Sequence, residues 1–593
     1  MVKTLLDKNI ELLSINTGHW IGEPKEKDIQ HTSMNDQVLV LGSEFDESNK
    51  PNPNKRELII CVGINSIEEI ETVIRTMSKE SYLIIVEPNF SFFHLALNNQ
   101  DLQLFNDSRV VLFADELNKF AFFLGNLLSS VFVYYMKSIK FYFTTYYREH
   151  GLNVSLELVK KAKETVKYKA LLLGNSIEDS LLGFNQTMSN ISCLLRSKDV
   201  SHLKNTFANK PAIIVSAGPS LNKNIAKLKD MKNKAIVIAV DTIASRLCNE
   251  GIIPDFICSV EREVETYTYF YENKQYPSET TLVGPMVLYP PIFEEFKGDI
   301  ILPMREHVGE FNWIRKVFDI HGENYIETGN SCAHVAFGFA KHIGASPIVL
   351  VGQDLAFGST TEQSHAGGTI YDNKVFTNQV FSEVEKSIVE GYYGDKVTTT
   401  DIWINFRLWF EKQIFDNKLF VINATEGGAK IANTIQMSLE EVLKNYCSEQ
   451  IQPVKDVLKN KPSYPLSEEQ MITVIHEQIK YFTEVKFKFE NQKIEVSKMK
   501  IVVSPSDKEM QKMLKKLKKT DPLYGIITEN WLLRHTLQPA LLTTFWNLFD
   551  IENVLTSENF RRNKEIQVEF LTVSVFVISK IISILEESLN RFK

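Results

Sequence analysis

The chain has 593 residues, of which 44% are hydrophobic and 24% are charged, with a formal net charge of −8. This length predicts roughly three or four domains, and the composition is typical of a globular protein with large cores. The acidic balance argues against a general nucleic-acid binder, which usually carries an excess of basic residues. The six cysteines lack the spacing of a zinc site, so we expect reduced thiols in a cytoplasmic protein.

Two apolar runs are candidates for membrane spans, and both are interrupted by polar residues. Residues 120–136 contain Asn126, and residues 570–585 contain Lys580. A span needs ~20 predominantly apolar residues, so we expect two buried helices and no transmembrane segment. The N-terminus lacks the apolar stretch of a signal peptide.

The N-terminal part alternates between apolar runs and amphipathic segments. Strands are predicted at 57–62, 82–87 and 110–113, with a helix at 66–78, and 116–195 is predicted to be largely helical. This order resembles a Rossmann-like fold in which Glu87 would hold a ribose. The single glycine after the first strand leaves a nucleotide little room, so a structural or partner-binding role is the alternative.

Strand–helix alternation is strongest between residues 200 and 436. Apolar runs predict parallel strands covered on both faces at 212–216, 235–240, 256–260, 281–284, 300–302, 347–351 and 419–422. After residue 437 only helices are predicted. We therefore predict an α/β chain: a smaller Rossmann-like domain with a helical extension at 1–200, a doubly wound Rossmann-like parallel sheet at 201–436, and an all-helical domain at 437–593.

The segment 210–221, KPAIIVSAGPSL, is predicted to form a strand, a turn and a helix. Ala217, Gly218 and Pro219 form the tight turn, and Ser220 stands where a helix N-cap would. In an open α/β sheet this turn places backbone N–H groups and a helix N-terminus at the carboxyl end of a strand, where phosphate binds. The pattern alone fits an ordinary strand-to-helix turn equally well.

Polar residues follow several other predicted strands of this region. They are Asp241, Glu261, Gly352, Gln353, Asp354, Asn423, Thr425 and Glu426. A second small-residue turn, made of Thr328, Gly329, Asn330 and Ser331, opens a predicted helix at 331–342. The polar loop 359–368, which contains His365, is a predicted lid. Because the carboxyl ends of parallel strands meet at one edge, these groups predict one ligand site.

The segments AIIVSAGPSL, ETGNSCAHVAFGFAKHIGASPIVLVGQDLAFG, SHAGGT and VINATEGGAKI together resemble the motility-associated factor (Maf) flagellin glycosyltransferases. The resemblance covers at least residues 210–431. This region is also similar to bacterial sialyltransferases that use CMP-activated sugars. The resemblance implies transfer of a nonulosonic acid, of the pseudaminic or legionaminic type, from its CMP donor to Ser or Thr of flagellin, as flagellar assembly and motility require.

The resemblance also implies roles for the residues at the predicted edge. The turns 217–220 and 328–331 would hold the CMP phosphate and cytidine, and 423–426 would close the nucleotide side. The residues Asp241, Glu261, Gln353 and Asp354 would bind the ribose, the sugar or the acceptor. As the general base we favour His365, with Asp354 and Glu261 as alternatives. No Asp-x-Asp motif follows a strand, so we expect no obligatory metal or other cofactor. Direct displacement of CMP by the acceptor implies an inverting enzyme.

Two other functions stay open at this point. A pterin pyrophosphokinase activity, which the similarity of this domain to archaeal enzymes of that class suggests, would require ATP and Mg²⁺. Asp241 and Glu261 are the candidate metal ligands. A non-catalytic flagellin-binding assembly factor would use the large part of the chain outside the central domain. Acceptor recognition is expected in the N-terminal and C-terminal domains and at 398–403. The nonulosonic acid used and the oligomeric state stay open as well.

Overall fold

The computed structural model describes residues 4–15, 18–22, 50–171 and 173–592. The chain forms two compact units, each assembled from separate stretches of sequence. The first comprises Met1–Ile177, Lys486–Thr528 and Thr536–Val577, and the second comprises Glu178–Val485, Glu529–His535 and Ile578–Lys593. The division into three consecutive domains stays a prediction.

The described residues of the first unit contain a five-stranded parallel sheet. In spatial order its strands are Trp20–Ile21, Val110–Ala114, Tyr82–Glu87, Leu58–Val62 and Ile139–Phe143. The three predicted strands are confirmed. The largely helical prediction for 116–195 is wrong at Ile139–Phe143, where β-branched and aromatic residues favour a strand. The N-terminal helices of this region are Leu5–Ile15, Ile67–Thr76, Phe90–Asn99, Leu117–Leu127, Thr145–Glu149 and Leu152–Leu171.

Glu87, the predicted ribose ligand, is fully buried at the end of its strand. Its carboxylate accepts hydrogen bonds from the Ile64 and Asn89 N–H groups, both at 2.9 Å, and from the Tyr147 hydroxyl at 2.5 Å. Burial raises the pKa of Glu87 to about 7. A Cβ atom on Gly63 would lie 2.1 Å from Thr144 Oγ1, which leaves no room for a ligand. This geometry supports the structural role.

The second unit is built on an eight-stranded sheet in which all described neighbours pair in parallel. In spatial order the strands are Ile300–Ile301, Thr281–Val283, Phe256–Cys258, Ile236–Val240, Ala212–Val215, Ile348–Val351, Val421–Asn423 and Ile435–Gln436. The seven predicted strands are confirmed, and so is the doubly wound fold. The last strand was missed because its two residues are exposed and only one of them is apolar.

The strand order of this sheet reverses between Ala212–Val215 and Ile348–Val351. At such a switch point the connections leave the sheet in opposite directions, which opens a crevice at the carboxyl ends of the strands. The helices of this part are Ile177–Ser189, Leu221–Asn224, Asp241–Asn249, Val264–Phe270, Pro290–Glu295, Gly309–Val317, Cys332–His342, Lys374–Phe381, Asp401–Asn417, Leu439–Tyr446 and Val454–Lys459. An antiparallel ribbon, Lys386–Glu390 with Lys396–Thr400, was not predicted.

The C-terminal segment is helical, as predicted. Its helices are Glu468–Ser497, Asp507–Leu517, Asp521–Glu529, Trp531–Thr536, Gln538–Phe549 and Ser557–Ser588. Among the helices that the structure describes, the segment Ser557–Phe592 is long and apolar enough to cross a membrane. Within its most apolar stretch 44% of the residues are buried. Length and composition alone give this result, and the core helix of a globular protein gives it too.

Glu310 provides a test of how this unit is packed. Its side chain is 2% exposed in helix Gly309–Val317. Burial raises its pKa to about 7 from an ordinary value of 4.5, and Thr187 and Arg262 offset only part of this effect. The folded state therefore holds this proton more tightly than the unfolded state. The resulting stabilisation is complete below pH 4.5 and is lost as the pH rises through 7.

We therefore expect Glu310→Gln to increase the free energy of unfolding at pH 8 by on the order of 1–3 kcal/mol. The variant should also flatten the pH dependence of stability between pH 4.5 and 7. Chemical denaturation at a series of pH values measures both effects. Glu306→Gln is the matched control, because Glu306 is exposed in the preceding segment. A loss of stability in Glu310→Gln at pH 8 would contradict this expectation.

Candidate functional site

A cleft of about 290 Å³ opens at the carboxyl edge of the eight-stranded sheet, at the switch point. The structure brings nine of the predicted site residues to its wall: Ala217, Gly218, Glu261, Asn330, Ser331, Gly352, Gln353, Asp354 and His365. They come from the ends of three strands, from the second small-residue turn and from the polar loop. The predicted convergence of these groups on one edge is therefore what the structure contains.

The other predicted site residues lie outside the wall of this cleft. They are Pro219, Ser220, Asp241, Thr328, Gly329, Asn423, Thr425 and Glu426. Ser220, Asp241, Asn423 and Thr425 are buried, and each is hydrogen-bonded to neighbouring residues as described below.

In the first turn, the Asp354 carboxylate occupies the place that the sequence analysis gave to a phosphate. The Ser220 N–H and hydroxyl donate to its two oxygens at 3.0 and 2.7 Å. The Gly218 N–H donates to the Gly352 carbonyl at 2.8 Å. Ser220 does not cap the following helix with its side chain, and that helix, Leu221–Asn224, has only four residues. The prediction of a phosphate cradle formed by 217–220 is corrected accordingly, because its N–H groups at 218 and 220 are already bonded.

Asp354 joins this turn to the loop that follows strand Val421–Asn423. Its carbonyl accepts a hydrogen bond from the Ala429 N–H at 2.7 Å, and the Gly428 backbone packs against it. Burial raises the pKa of Asp354 to about 6, although the hydrogen bonds from Ser220 oppose this shift. Because the carboxylate is held by Ser220 on both oxygens, its geometry suits a positioning residue better than a general base.

Gln353 is also fixed from behind. The Ser216 hydroxyl donates to its Oε1 atom at 2.7 Å, and its N–H donates to Thr425 Oγ1 at 3.1 Å. The Thr425 N–H in turn donates to Asn423 Oδ1 at 3.1 Å. Asn423 and Thr425 are both fully buried, so they support the cleft rather than contact a ligand in it.

Glu426 lies in a different groove. It adopts a left-handed backbone conformation with φ of 55°, and its Oε1 atom accepts a hydrogen bond from the Leu439 N–H at 2.9 Å. The residues that line this groove with it include Tyr393 and Glu441. The prediction that Glu426 closes the nucleotide side of the cleft is therefore wrong in position, because the loop turns its side chain towards helix Leu439–Tyr446.

Asp241 is buried beneath the floor of the cleft, with 2% of its surface exposed. Its carboxylate accepts hydrogen bonds from the Ser259 hydroxyl at 2.5 Å, the Thr242 N–H at 2.7 Å and the Cys332 thiol at 3.3 Å. Burial raises its pKa above the ordinary value. Direct ribose binding by Asp241 is thus not what the geometry supports; its neighbour Thr242 lines the cleft instead.

Glu261 reaches the cleft from the end of strand Phe256–Cys258. Desolvation by burial raises the pKa of Glu261, and the nearby Asp241 carboxylate raises it further. The positive charges of Arg262 and Arg305 oppose this shift. A raised pKa makes this carboxylate a stronger base than an ordinary glutamate, and it still faces the cavity. These are the properties that a general base for a hydroxyl group needs.

His365 lines the cleft, but its ring is committed to other contacts. It stacks on Tyr371 with ring centroids 3.5 Å apart and an angle of 7° between planes, and its Nδ1 atom lies 3.0 Å from Ser364 Oγ. The adjacent Ala366 N–H donates to the Ala217 carbonyl at 2.7 Å, which fastens the polar loop to the first turn. Burial lowers the pKa of His365 to about 3. The imidazole is therefore neutral at physiological pH and weakly basic.

The second turn presents a helix N-terminus to the cleft. Ser331 caps helix Cys332–His342 by accepting a hydrogen bond from the His334 N–H, and Cys332 and Ala333 of the first helical turn line the cavity. This helix has eleven residues, so its positive dipole end favours an anion there. Thr328 and Gly329 lie behind the wall. Of the two turns predicted to hold the CMP phosphate and cytidine, the second is the one that presents a helix N-terminus of this length to the cleft.

An aromatic wall formed by Trp403 and Phe406 also lines the cleft, and the sequence pattern does not predict it. Both residues belong to helix Asp401–Asn417 and are three positions apart, so they share one face. Trp403 had been placed in a segment for acceptor recognition. Aromatic residues three positions apart on a helix usually pack in a hydrophobic core, so their spacing does not indicate a ligand site. The antiparallel ribbon before this helix brings its first turns to the sheet edge, and that ribbon was not predicted.

No group of three or more His, Cys, Asp and Glu side chains is placed to hold a metal ion in the part of the chain that the structure describes. The Asp241 carboxylate, one of two candidate Mg²⁺ ligands, already accepts four hydrogen bonds. The expectation of a metal-independent reaction stays a prediction.

Comparison with known proteins identifies relatives of this architecture. A family model described as 6-hydroxymethylpterin diphosphokinase MptE-like matches residues 185–360. An uncharacterized protein of Treponema pallidum (strain Nichols) is 35% identical over 69 residues, which are 12% of this chain and 33% of that protein. The chain thus matches only about a third of the length of this curated relative.

A solved structure extends the similarity to almost the whole chain. The Maf glycosyltransferase from Magnetospirillum magneticum AMB-1 aligns with a TM-score of 0.60 and 15% sequence identity, covering 99% of this chain and 89% of that one. At this identity the alignment establishes the fold. The resemblance noted in the sequence is therefore confirmed in three dimensions: this chain has the Maf glycosyltransferase fold along nearly its full length.

Proposed function

We propose that this protein is a glycosyltransferase that moves a nonulosonic acid from its CMP donor to Ser or Thr hydroxyls of flagellin, in the cytoplasm, as flagellar assembly and motility require. The observation that carries the proposal is the cleft at the switch point, where the N-terminus of helix Cys332–His342 and the aromatic side chains of Trp403 and Phe406 line one cavity. A nucleotide needs both a site for its phosphate and a surface for its base. The shared Maf fold supports the glycosyltransferase class.

In this proposal the donor phosphate binds at the turn 330–333, where backbone N–H groups of the first helical turn have no partner within the helix. The cytosine ring packs on Trp403 and Phe406. As the glycosidic bond to the phosphate breaks, negative charge grows on the departing CMP, and the helix N-terminus stabilises it. CMP leaves with the bonding electron pair, and the sugar passes through an oxocarbenium-like transition state.

The acceptor hydroxyl attacks the anomeric carbon from the opposite side, so the configuration is inverted. We assign the general base to Glu261, which takes the proton of the hydroxyl as the new carbon–oxygen bond forms. His365 is the alternative base, with the weaker basicity described above. Holding the two substrates in line supplies the remaining acceleration, and no metal or other cofactor is required in this scheme.

The three functions considered for this chain predict different ligands. A ligand that binds only the folded state stabilises it by about 2.7 kcal/mol when present at 100 times its Kd. We expect CMP to raise the thermal unfolding temperature in the absence of metal. Stabilisation by ATP with Mg²⁺ instead would favour the pterin pyrophosphokinase, and no stabilisation by either would favour a non-catalytic assembly factor.

Flagellin mass tests the complete reaction. Coexpression of this chain with flagellin and a pathway that makes a CMP-nonulosonic acid should increase the mass of flagellin by whole nonulosonic acid residues. Omission of this chain is the control. An unchanged flagellin mass in the presence of all components would refute the proposed transfer.

A further inference from the structure

His334 is a buried histidine directly behind the wall of the cleft. It belongs to the first turn of helix Cys332–His342 and is 1% exposed. Three rings of helix Asp401–Asn417 surround it: Phe406, Trp409 and Phe410, with centroids at 5.1, 4.3 and 4.7 Å. An imidazole in such a position must satisfy its two nitrogens inside the protein.

Both nitrogens of His334 have partners, and the partners fix its tautomer. The Asn330 N–H donates to Nδ1 at 3.0 Å, so Nδ1 is unprotonated. Nε2 lies 3.1 Å from the Phe406 carbonyl oxygen, which accepts hydrogen bonds only, so Nε2 carries the hydrogen. Burial lowers the pKa of His334 to about 4, which agrees with a neutral ring.

The second turn is also shaped to fit this ring. A Cβ atom on Gly329 would lie 2.3 Å from His334 Nδ1, so the turn packs directly on the imidazole. The ring therefore lies between the turn that contains Asn330 and the helix that contains Phe406. Both of these residues line the cleft.

We propose that His334 is a positioning residue that locks the anion-binding turn to the aromatic wall, an inference that rests on the proposed nucleotide site. The bond to Asn330 orients the backbone at the helix N-terminus, and the bond to Phe406 holds the aromatic helix against it. This side chain thus connects the phosphate site to the wall proposed for the cytosine ring, in addition to the hydrogen bonds from Lys341 to Gln413 and Asn417 that join the same two helices.

Two conservative variants separate the two hydrogen bonds. In His334→Asn the amide oxygen stands close to the Nδ1 position and accepts from Asn330, but the bond to Phe406 is lost. In His334→Gln the amide nitrogen stands close to the Nε2 position and donates to Phe406, but the bond to Asn330 is lost. His342→Gln is the matched control, because His342 lies at the other end of the same helix, with Nε2 2.8 Å from the Val200 carbonyl.

Hydrogen exchange measured by mass spectrometry tests, without any ligand, whether His334 holds the turn that contains Asn330. We expect His334→Gln to speed exchange of the Asn330 N–H, followed in the peptide covering 328–331, by about tenfold or more, because this N–H loses its hydrogen-bond acceptor. His334→Asn and His342→Gln should leave this peptide close to wild type. Equal exchange in His334→Gln and wild type, or equal acceleration in both His334 variants, would overturn the proposal.

Titration calorimetry with CMP then tests the consequence for binding. The Kd should rise about tenfold in His334→Gln and clearly less in His334→Asn, while the Kd of His342→Gln stays at the wild-type value. Wild-type affinity in His334→Gln would overturn the positioning role. Failure of the wild-type protein to bind CMP would refute the proposed function instead, and the exchange data would still decide whether His334 locks the turn.

Discussion

Glu261→Gln is expected to lower the kcat of sugar transfer by about 10²–10⁴-fold, the usual contribution of a general base. Glutamine keeps the size of the side chain and removes its ability to take a proton. Because the proposed phosphate contacts are made by the turn 330–333 and not by Glu261, we expect the Kd for CMP to change by no more than about threefold. Single-turnover transfer to purified flagellin, followed by intact mass, measures the rate.

The pH profile distinguishes Glu261 from His365 as the base. A base acts in its deprotonated form, so activity falls as the pH drops through its pKa. Glu261 has a pKa raised above 4.5, so the acidic limb of the profile should lie above that value. With His365 as the base, the limb would lie near pH 3, since burial lowers its pKa to about 3.

His365→Gln is the comparison variant for this prediction. It keeps a polar side chain beside Ser364 and Tyr371, and we expect it to retain much more activity than Glu261→Gln. The reverse result, an active Glu261→Gln and an inactive His365→Gln, would return the role of base to His365.

The sheet and the position of the site were predictable from sequence for a simple geometric reason. Parallel strands that are covered on both faces read as apolar runs, and their carboxyl ends must meet at one edge. Glu261, Gln353 and Asp354 therefore converge as expected. What surrounds each side chain was not predictable, because the residue types that bind ligands also brace turns.

Asp241 and Asp354 illustrate this limit. Asp354 bonds Ser220 across 134 positions of the chain, and the spacing of the two residues gives no sign of that contact. Asp241 is held by Ser259 and Cys332 in the same way. Edge elements were the other gap: Ile139–Phe143 forms a strand because Leu58–Val62 lies beside it, which is a tertiary effect on a sequence that is ambiguous by itself.

Gly218→Ala is expected to abolish CMP binding and to lower the free energy of unfolding by about 1–3 kcal/mol, the typical cost of overpacking. The Cβ atom would lie 2.0 Å from Asp354 Oδ2 and 2.4 Å from the Gly352 carbonyl oxygen. A side-chain contact can move away, whereas the carbonyl belongs to the strand end that carries Gln353. We therefore expect the turn to shift and the cleft to change shape with it.

The double variant Gly218→Ala with Asp354→Ala tests which contact matters. It removes the carboxylate but leaves the Gly352 carbonyl in place, so CMP binding should not return. Gly525→Ala is the control substitution, because a Cβ atom there meets nothing within 4 Å. Calorimetry with CMP and thermal unfolding give the two readouts. Wild-type affinity and stability in Gly218→Ala would show that the turn tolerates a side chain, and its close approach to Gly352 would then have no part in shaping the site.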